Sequence, residues 1–167
     1  HSQAFFEIAN PRLAGTLVPV FSLRSEGSYG VGDFGDLRLM IDWVAYTGQR
    51  VLQILPINDT TVTHTWKDSY PYSCISIFAL HPQYVDFRQL PALKDKKKAA
   101  EFEALREELN ALRQIDYERV NKAKREYLRL IFAQEGQKVL ASTEFKRWFA
   151  EEQHWLVPYA QYCVLRD

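Results

Sequence analysis

The spacing of apolar positions changes four times along the chain. Leu17-Val18-Pro19-Val20-Phe21 is a short apolar run that fits a buried strand, with Pro19 needing an edge or bulge because it has no N–H for the ladder. A polar loop from Ser22 to Gly32 follows. Leu37, Met40, Ile41, Val44 and Ala45 then fall on one helical stripe. Asp33 stands where an N-cap belongs, Asp36 completes a capping box with a shorter acid, and Gly48 stands just past the helix end. Val51-Leu52-Gln53-Ile54-Leu55 reads as a second strand, stopped by Pro56. Strand, helix and strand predict a βαβ unit with parallel strands joined right-handedly.

From Asn58 to Leu93 the period disappears and turn formers accumulate. A loop of about 35 residues inside a domain is usually functional or disordered. Trp66, Tyr70, Tyr72, Phe78, Tyr84 and Phe87 argue against disorder here. Helical spacing then returns three times. Phe102, Leu105, Leu109 and Leu112 mark one helix, entered through Lys96-Lys97-Lys98. Val120, Ala123, Tyr127, Leu128 and Ile131 mark a second, expected to end near Gly136. Phe145, Trp148 and Phe149 mark a third, with Ser142 as its cap. Pro158 is expected to open or kink a last segment, Tyr159 to Leu165, which is apolar on most sides and so should be buried. The aromatic cluster Phe145, Trp148, Phe149, Trp155 and Tyr159 reads as core packing. The outcome is an α/β chain in two parts, a βαβ portion with its loop (1–93) and a helical portion (94–167). Two strands make an unfinished sheet, whose open edges invite a dimer or a swapped oligomer.

Composition narrows the classes. With 47% hydrophobic and 25% charged residues, the chain is neither disordered nor a membrane protein. Lys plus Arg equals Asp plus Glu at 21 each, so no global field draws it to nucleic acid or anionic lipid. The lysine run is cancelled at once by Glu101, Glu103, Glu107 and Glu108, and reads as a solvated helix entrance. His1 to Pro11 lack the pattern of a secretory leader, and no apolar stretch is long enough to span a bilayer. Cys74 and Cys163 are lone thiols, and His64, His81 and His154 have no metal-ligand spacing. A cytoplasmic location with no metal and no cofactor is the expectation.

Gly30-Val31-Gly32-Asp33-Phe34-Gly35 is a literal G-x-G-x-x-G before a helix. In a dinucleotide site the turn must follow its strand tightly, so that backbone N–H groups meet a pyrophosphate. Here eight residues intervene after Phe21, and Asp33 sets a negative charge where the pyrophosphate would lie. Pro56-Ile57-Asn58 stands in place of a ribose-binding acid. The reading as a glycine-rich loop is preferred.

Several blocks in order resemble the 4-α-glucanotransferase (amylomaltase, disproportionating enzyme) family. They are Gly15 to Ser25, Tyr29 to Leu37, Gln53 to Thr60, Asp68 to Ser73, Ser76 to Pro82, Ile115 to Val120 and Trp155 to Ala160. The stretches Pro56 to Thr60, Asp68 to Ser73 and Phe78 to Pro82 are most similar to the plant-cytosolic disproportionating type and its bacterial relatives, which often carry starch-binding modules ahead of the catalytic domain. The resemblance implies the N-terminal part of a (β/α)8 TIM barrel followed by a helical insertion, with its site on loops at the C-terminal strand ends. It implies retaining transfer of α-1,4-glucan segments or glucosyl units between maltose, maltodextrins and branched glucans. The three catalytic carboxylates of the family come from later strands, so the chain holds no catalytic residue and is expected to be inactive alone.

The resemblance assigns Tyr72 to stacking on a sugar in the donor subsite, for which a flat aromatic face is suited. Tyr70 stands where relatives have serine. Asn58 and Asp59 follow the second strand on the expected site face; Asp59 reads equally as a loop-capping acid. Asp68 reads as a turn former with a sugar contact as its other role, and Trp66 as either a stacking or a plugging residue. His81 stands where many relatives have asparagine and reads as loop-fixing. The competing function is a non-catalytic carbohydrate-binding or interaction module.

Overall fold

The computed structural model describes residues 13–167. The stretch His1 to Pro11 considered above lies outside the described residues. Strand β1 (Gly15–Leu17) pairs in parallel with β2 (Val51–Gln53), Thr16 opposite Leu52, and α1 (Phe34–Tyr46) crosses between them. Three helices follow: α2 (Lys96–Ala111), α3 (Tyr117–Ala141) and α4 (Thr143–Arg166). Among the described residues no helix is long and apolar enough to cross a membrane.

Local signals place α1 as expected. The Asp33 carboxylate accepts from the N–H groups of Gly35 (2.8 Å) and Asp36 (3.0 Å), while Asp36 accepts from the N–H of Asp33. Gly48 closes the other end at φ 75°, a left-handed conformation that costs glycine nothing. The helical stripe is only partly used, because Val44 is buried while Ile41 remains half exposed.

The strands differ from the apolar runs. Strand β1 begins and ends earlier than Leu17–Phe21: Val18 still donates to the Gln53 carbonyl at 2.9 Å, but Pro19 has no N–H and the chain turns into a 3₁₀ segment, Val20–Ser22. Strand β2 stops at Gln53 rather than Leu55. Of the apolar run only Val20, past the strand, is fully packed away from water, while Leu17 inside the strand is largely exposed.

The core is accordingly not on the sheet. Tyr29 and Val31 of the glycine-rich loop pack on Leu109 of α2 and on Val120 and Ala123 of α3. Phe87 stacks on Tyr127 with centroids 4.2 Å apart, and Phe102 meets the same ring edge-on. Gly30 lies in this core at φ 73°, where a Cβ would come within 2.8 Å of the Leu109 Cβ. Gly35 lies flush against Arg88 and Asp86. Close packing thus explains two glycines of the G-x-G-x-x-G pattern without any phosphate.

Several helical expectations need correction. The lysine run is the first turn of α2, behind Asp95 as its cap, because Asp95 accepts from Lys97 and Lys98. Helix α3 passes Gly136 and ends at Ala141. Helix α4, capped by Ser142 as expected, runs through Pro158 to Arg166. The segment Tyr159–Leu165 is not buried: Val164 and Leu165 are among the most exposed apolar residues, and no residue of α4 is fully buried. The aromatic cluster on α4 is likewise half-buried or exposed rather than core. An apolar helix face is evidence that burial is needed, not that this stretch of chain supplies it.

A second set of contacts locks the loops. Arg88 donates to Asp33 (2.9 Å) and Asp86 (2.6 Å) and stands 3.5 Å from Asp36. Ser25 and Ser28 donate to the two oxygens of Asp36. Lys124 of α3, almost wholly buried, donates to the carbonyls of Gln83 (2.7 Å) and Val85 (2.9 Å). Burial pushes its ammonium down to about 8 against the pull of Asp33, Asp36 and Asp86.

Asp33 serves both as cap and as partner of Arg88. Asp33→Ala should therefore lower unfolding free energy by about 1–2 kcal/mol or more, while Asp33→Asn, which keeps the cap acceptor but not the charge facing Arg88 and Lys124, should recover only part of the loss. Chemical denaturation of the two variants measures this.

Candidate functional site

The segment after β2 carries every residue singled out for ligand contact. Its legs are joined by an antiparallel bridge between Asn58 and Leu80, and Asp59 donates its N–H to the Ala79 carbonyl at 2.9 Å. The loop is not featureless: it winds into 3₁₀ turns at Trp66–Ser69, Pro82–Tyr84 and Phe87–Gln89.

Asp59 is 2% exposed and bonded on both sides. One carboxylate oxygen accepts from the N–H (3.0 Å) and hydroxyl (2.6 Å) of Thr61, and the other from the Tyr159 hydroxyl at 2.5 Å. Asp68 is 6% exposed and accepts from the N–H groups of Thr63 and His64 and from the Thr63 hydroxyl. His64 has φ 59°, and its N–H meets Asp68 at 2.7 Å, so the acid holds a strained turn. Asp68 thus spends its oxygens inside the loop, while Asp59 divides its own between Thr61 of the loop and Tyr159 of α4. Asn58 is half-buried at the bridge.

The aromatic side chains do the opposite. Tyr70 is 60% exposed and Tyr72 59%, with ring centroids 5.5 Å apart and planes tilted by 49°. Trp66 is 67% exposed, and its backbone N–H donates to Glu118 of α3 at 3.0 Å. Beside the loop, Ile75, Phe78, Trp155, Pro158, Tyr159 and Tyr162 line an open cleft of about 510 Å³.

His81 holds the returning leg. Its Nδ1 accepts from the Gln83 N–H at 3.2 Å, which leaves Nε2 protonated and donating to the Tyr117 hydroxyl at 2.9 Å. Tyr117 in turn donates to the Asp68 carbonyl at 3.2 Å. Burial pushes the imidazole down to about 4, although Asp59, at 4.0 Å, favours the charged form. Burial also raises the Tyr117 hydroxyl, so it remains a donor.

Sequence reasoning missed Tyr117, Lys124, Tyr159 and Arg166 as parts of this loop's support. Lys124 had a signal, since it lies beside Val120, Ala123 and Tyr127 on an otherwise apolar stripe. A lysine there must either reach water or find buried acceptors. Nothing local pointed to Tyr159, which is 100 positions from its partner Asp59. Among the described residues no group of three or more His, Cys, Asp or Glu could hold a metal ion. Cys74 and Cys163 are free thiols.

His81 binds a proton more weakly folded than unfolded, so its contribution is complete above pH 6.5 and is lost as pH falls through about 4. Between those limits the melting temperature of the protein should fall faster than that of His81→Asn, which has no proton to gain. Parallel curves in a pH series of thermal melts would contradict this.

The sequence pattern described as 4-alpha-glucanotransferase matches residues 18–167. The "4-alpha-glucanotransferase DPE2" of Oryza sativa subsp. japonica is 44% identical over 156 residues, 93% of this chain and 16% of that protein. A 4-alpha-glucanotransferase of Chlamydia muridarum is 35% identical over 154 residues, 92% of this chain and 28% of its own length. One from Chlamydia trachomatis is 39% identical over 156 residues, again 92% and 28%. The chain therefore spans less than a third of these relatives. It belongs to the 4-alpha-glucanotransferase family.

Proposed function

We propose that this chain is the part of a 4-α-glucanotransferase that shapes its donor-sugar site, within the N-terminal portion of a (β/α)8 barrel and a helical insertion. The observation that carries the reading is the exposed Tyr70–Tyr72 pair on a loop whose acids are consumed in holding it. Family membership and the parallel βαβ unit support it. Tyr72 would stack on the C–H face of a pyranose, and its hydroxyl would meet a ring substituent. Trp66, also exposed on the same loop, would extend the aromatic contact to a longer glucan. Asp59, Asp68 and Asn58 serve the substrate indirectly, by keeping the tyrosines in place.

The reaction proposed for the whole protein is retaining transfer. A carboxylate attacks the anomeric carbon and a carboxylic acid protonates the departing glycosidic oxygen. The covalent glucosyl-enzyme is then taken by a sugar hydroxyl, which gives its proton to the same acid, now a base. Both carboxyl groups are proposed to lie beyond Asp167, so that this chain binds without turning over.

The test is glucose release from maltose plus a soluble branched glucan, run on this chain and on the product of its complete reading frame. Activity in the complete product alone is expected. Silence from both, with glucan still bound, would favour a non-catalytic carbohydrate-binding module instead. In either protein Tyr72→Ala should weaken maltoheptaose binding by about tenfold, measured by calorimetry.

A further inference from the structure

Helix α4 touches the tyrosine-bearing loop through one face. Trp155 stacks on Phe78 with centroids 5.5 Å apart and planes 16° from parallel. One turn on, the Tyr159 hydroxyl donates to Asp59 at 2.5 Å. Two turns beyond that, Arg166 donates to the Thr61 carbonyl at 2.9 Å. Residues four and seven apart lie on the same side of a helix, so these contacts act together.

The middle one falls on Asp59. Its N–H bonds the Ala79 carbonyl and its carbonyl accepts from the Ile75 N–H at 2.8 Å, so its main chain ties both returning stretches of the loop. Ile75 is only three residues past Tyr72. We propose that Tyr159 is a positioning residue for glucan binding: its hydroxyl holds the Asp59 carboxylate, and Asp59 sets where Tyr70 and Tyr72 stand. This rests on the reading of the tyrosine pair given above.

The physical reason is the burial of Asp59. Without the Tyr159 hydroxyl, one buried carboxylate oxygen keeps, among the described residues, only Arg166, at 3.9 Å and too far for a hydrogen bond. The loop then relieves the loss by shifting toward Arg166 or admitting water, and either movement carries Ile75 and the tyrosines with it. Burial raises the Tyr159 hydroxyl, as does its bond to Asp59, so it stays a donor throughout the neutral range.

The experiment uses the full-length protein, with initial rates of maltotriose disproportionation at a temperature well below unfolding. Tyr159→Phe, which deletes one oxygen, should raise the donor KM by about three- to tenfold and leave kcat within about twofold. Combined with Tyr72→Ala it should add little more, since both act on one contact. Arg166→Gln frees the same leg at Thr61 and should shift KM in the same direction, which keeps the inference testable should Tyr159→Phe not fold. A lowered melting temperature with unchanged KM in Tyr159→Phe, alongside a raised KM in Tyr72→Ala, overturns the positioning role. An unchanged KM in Tyr72→Ala overturns the reading of the tyrosine pair, and the positioning role with it.

Discussion

Lys124 is a charged amine with almost no access to water, and the arrangement of three chain segments follows from that. Removing an ammonium from water costs several kcal/mol unless acceptors and opposite charge surround it. The acceptors come from the carbonyls of Gln83 and Val85, and the opposite charge from Asp33, Asp36 and Asp86. Arg88 then shares the same carboxylates from the solvent side. The glycine-rich loop, the end of the long loop and α3 are thereby fixed to one another. A pair of three-residue strands could not do this, because it buries little and pairs little.

The same principle divides labour at the candidate site. The buried acids are bonded, and the candidate aromatic side chains face solvent. Asp59, Asp68 and His81 hold the loop's legs through Thr61, Thr63, His64, Gln83, Tyr117 and Tyr159. Tyr70, Tyr72 and Trp66 extend from that frame. A loop held in this way presents flat faces with little ordering left to do when a ligand arrives, which favours affinity. For a carbohydrate, whose polar groups exchange water for protein at small net gain, such preorganisation matters more than the number of hydrogen bonds.

What the sequence made legible was local. The cap of α1 at Asp33, its end at Gly48 and the cap of α4 at Ser142 are set by neighbours within a few residues, and all three stand as expected. Parallel pairing followed from the strand–helix–strand order. Errors arose where a pattern has more than one physical solution. The run around Val20 satisfied its hydrophobicity in a 3₁₀ turn once Pro19 ended the ladder. The apolar face beyond Tyr159 was expected to be buried because apolarity states a need, yet Val164 and Leu165 stay exposed. At the site, a motif resemblance singled out Tyr72, but it carried no sign of partners such as Tyr159 and Tyr117, brought in from distant helices.

The long, irregular loop is held by buried polar bonds rather than by sheet. Amide hydrogen exchange at Asp59, Thr63, His64 and Ile75 measures this, because each of these N–H groups is bonded within the loop. Protection approaching that of amides in the middle of α3 is expected, all four lost together as the protein unfolds. Exchange at the rate of an unstructured peptide while α3 remains protected would contradict it.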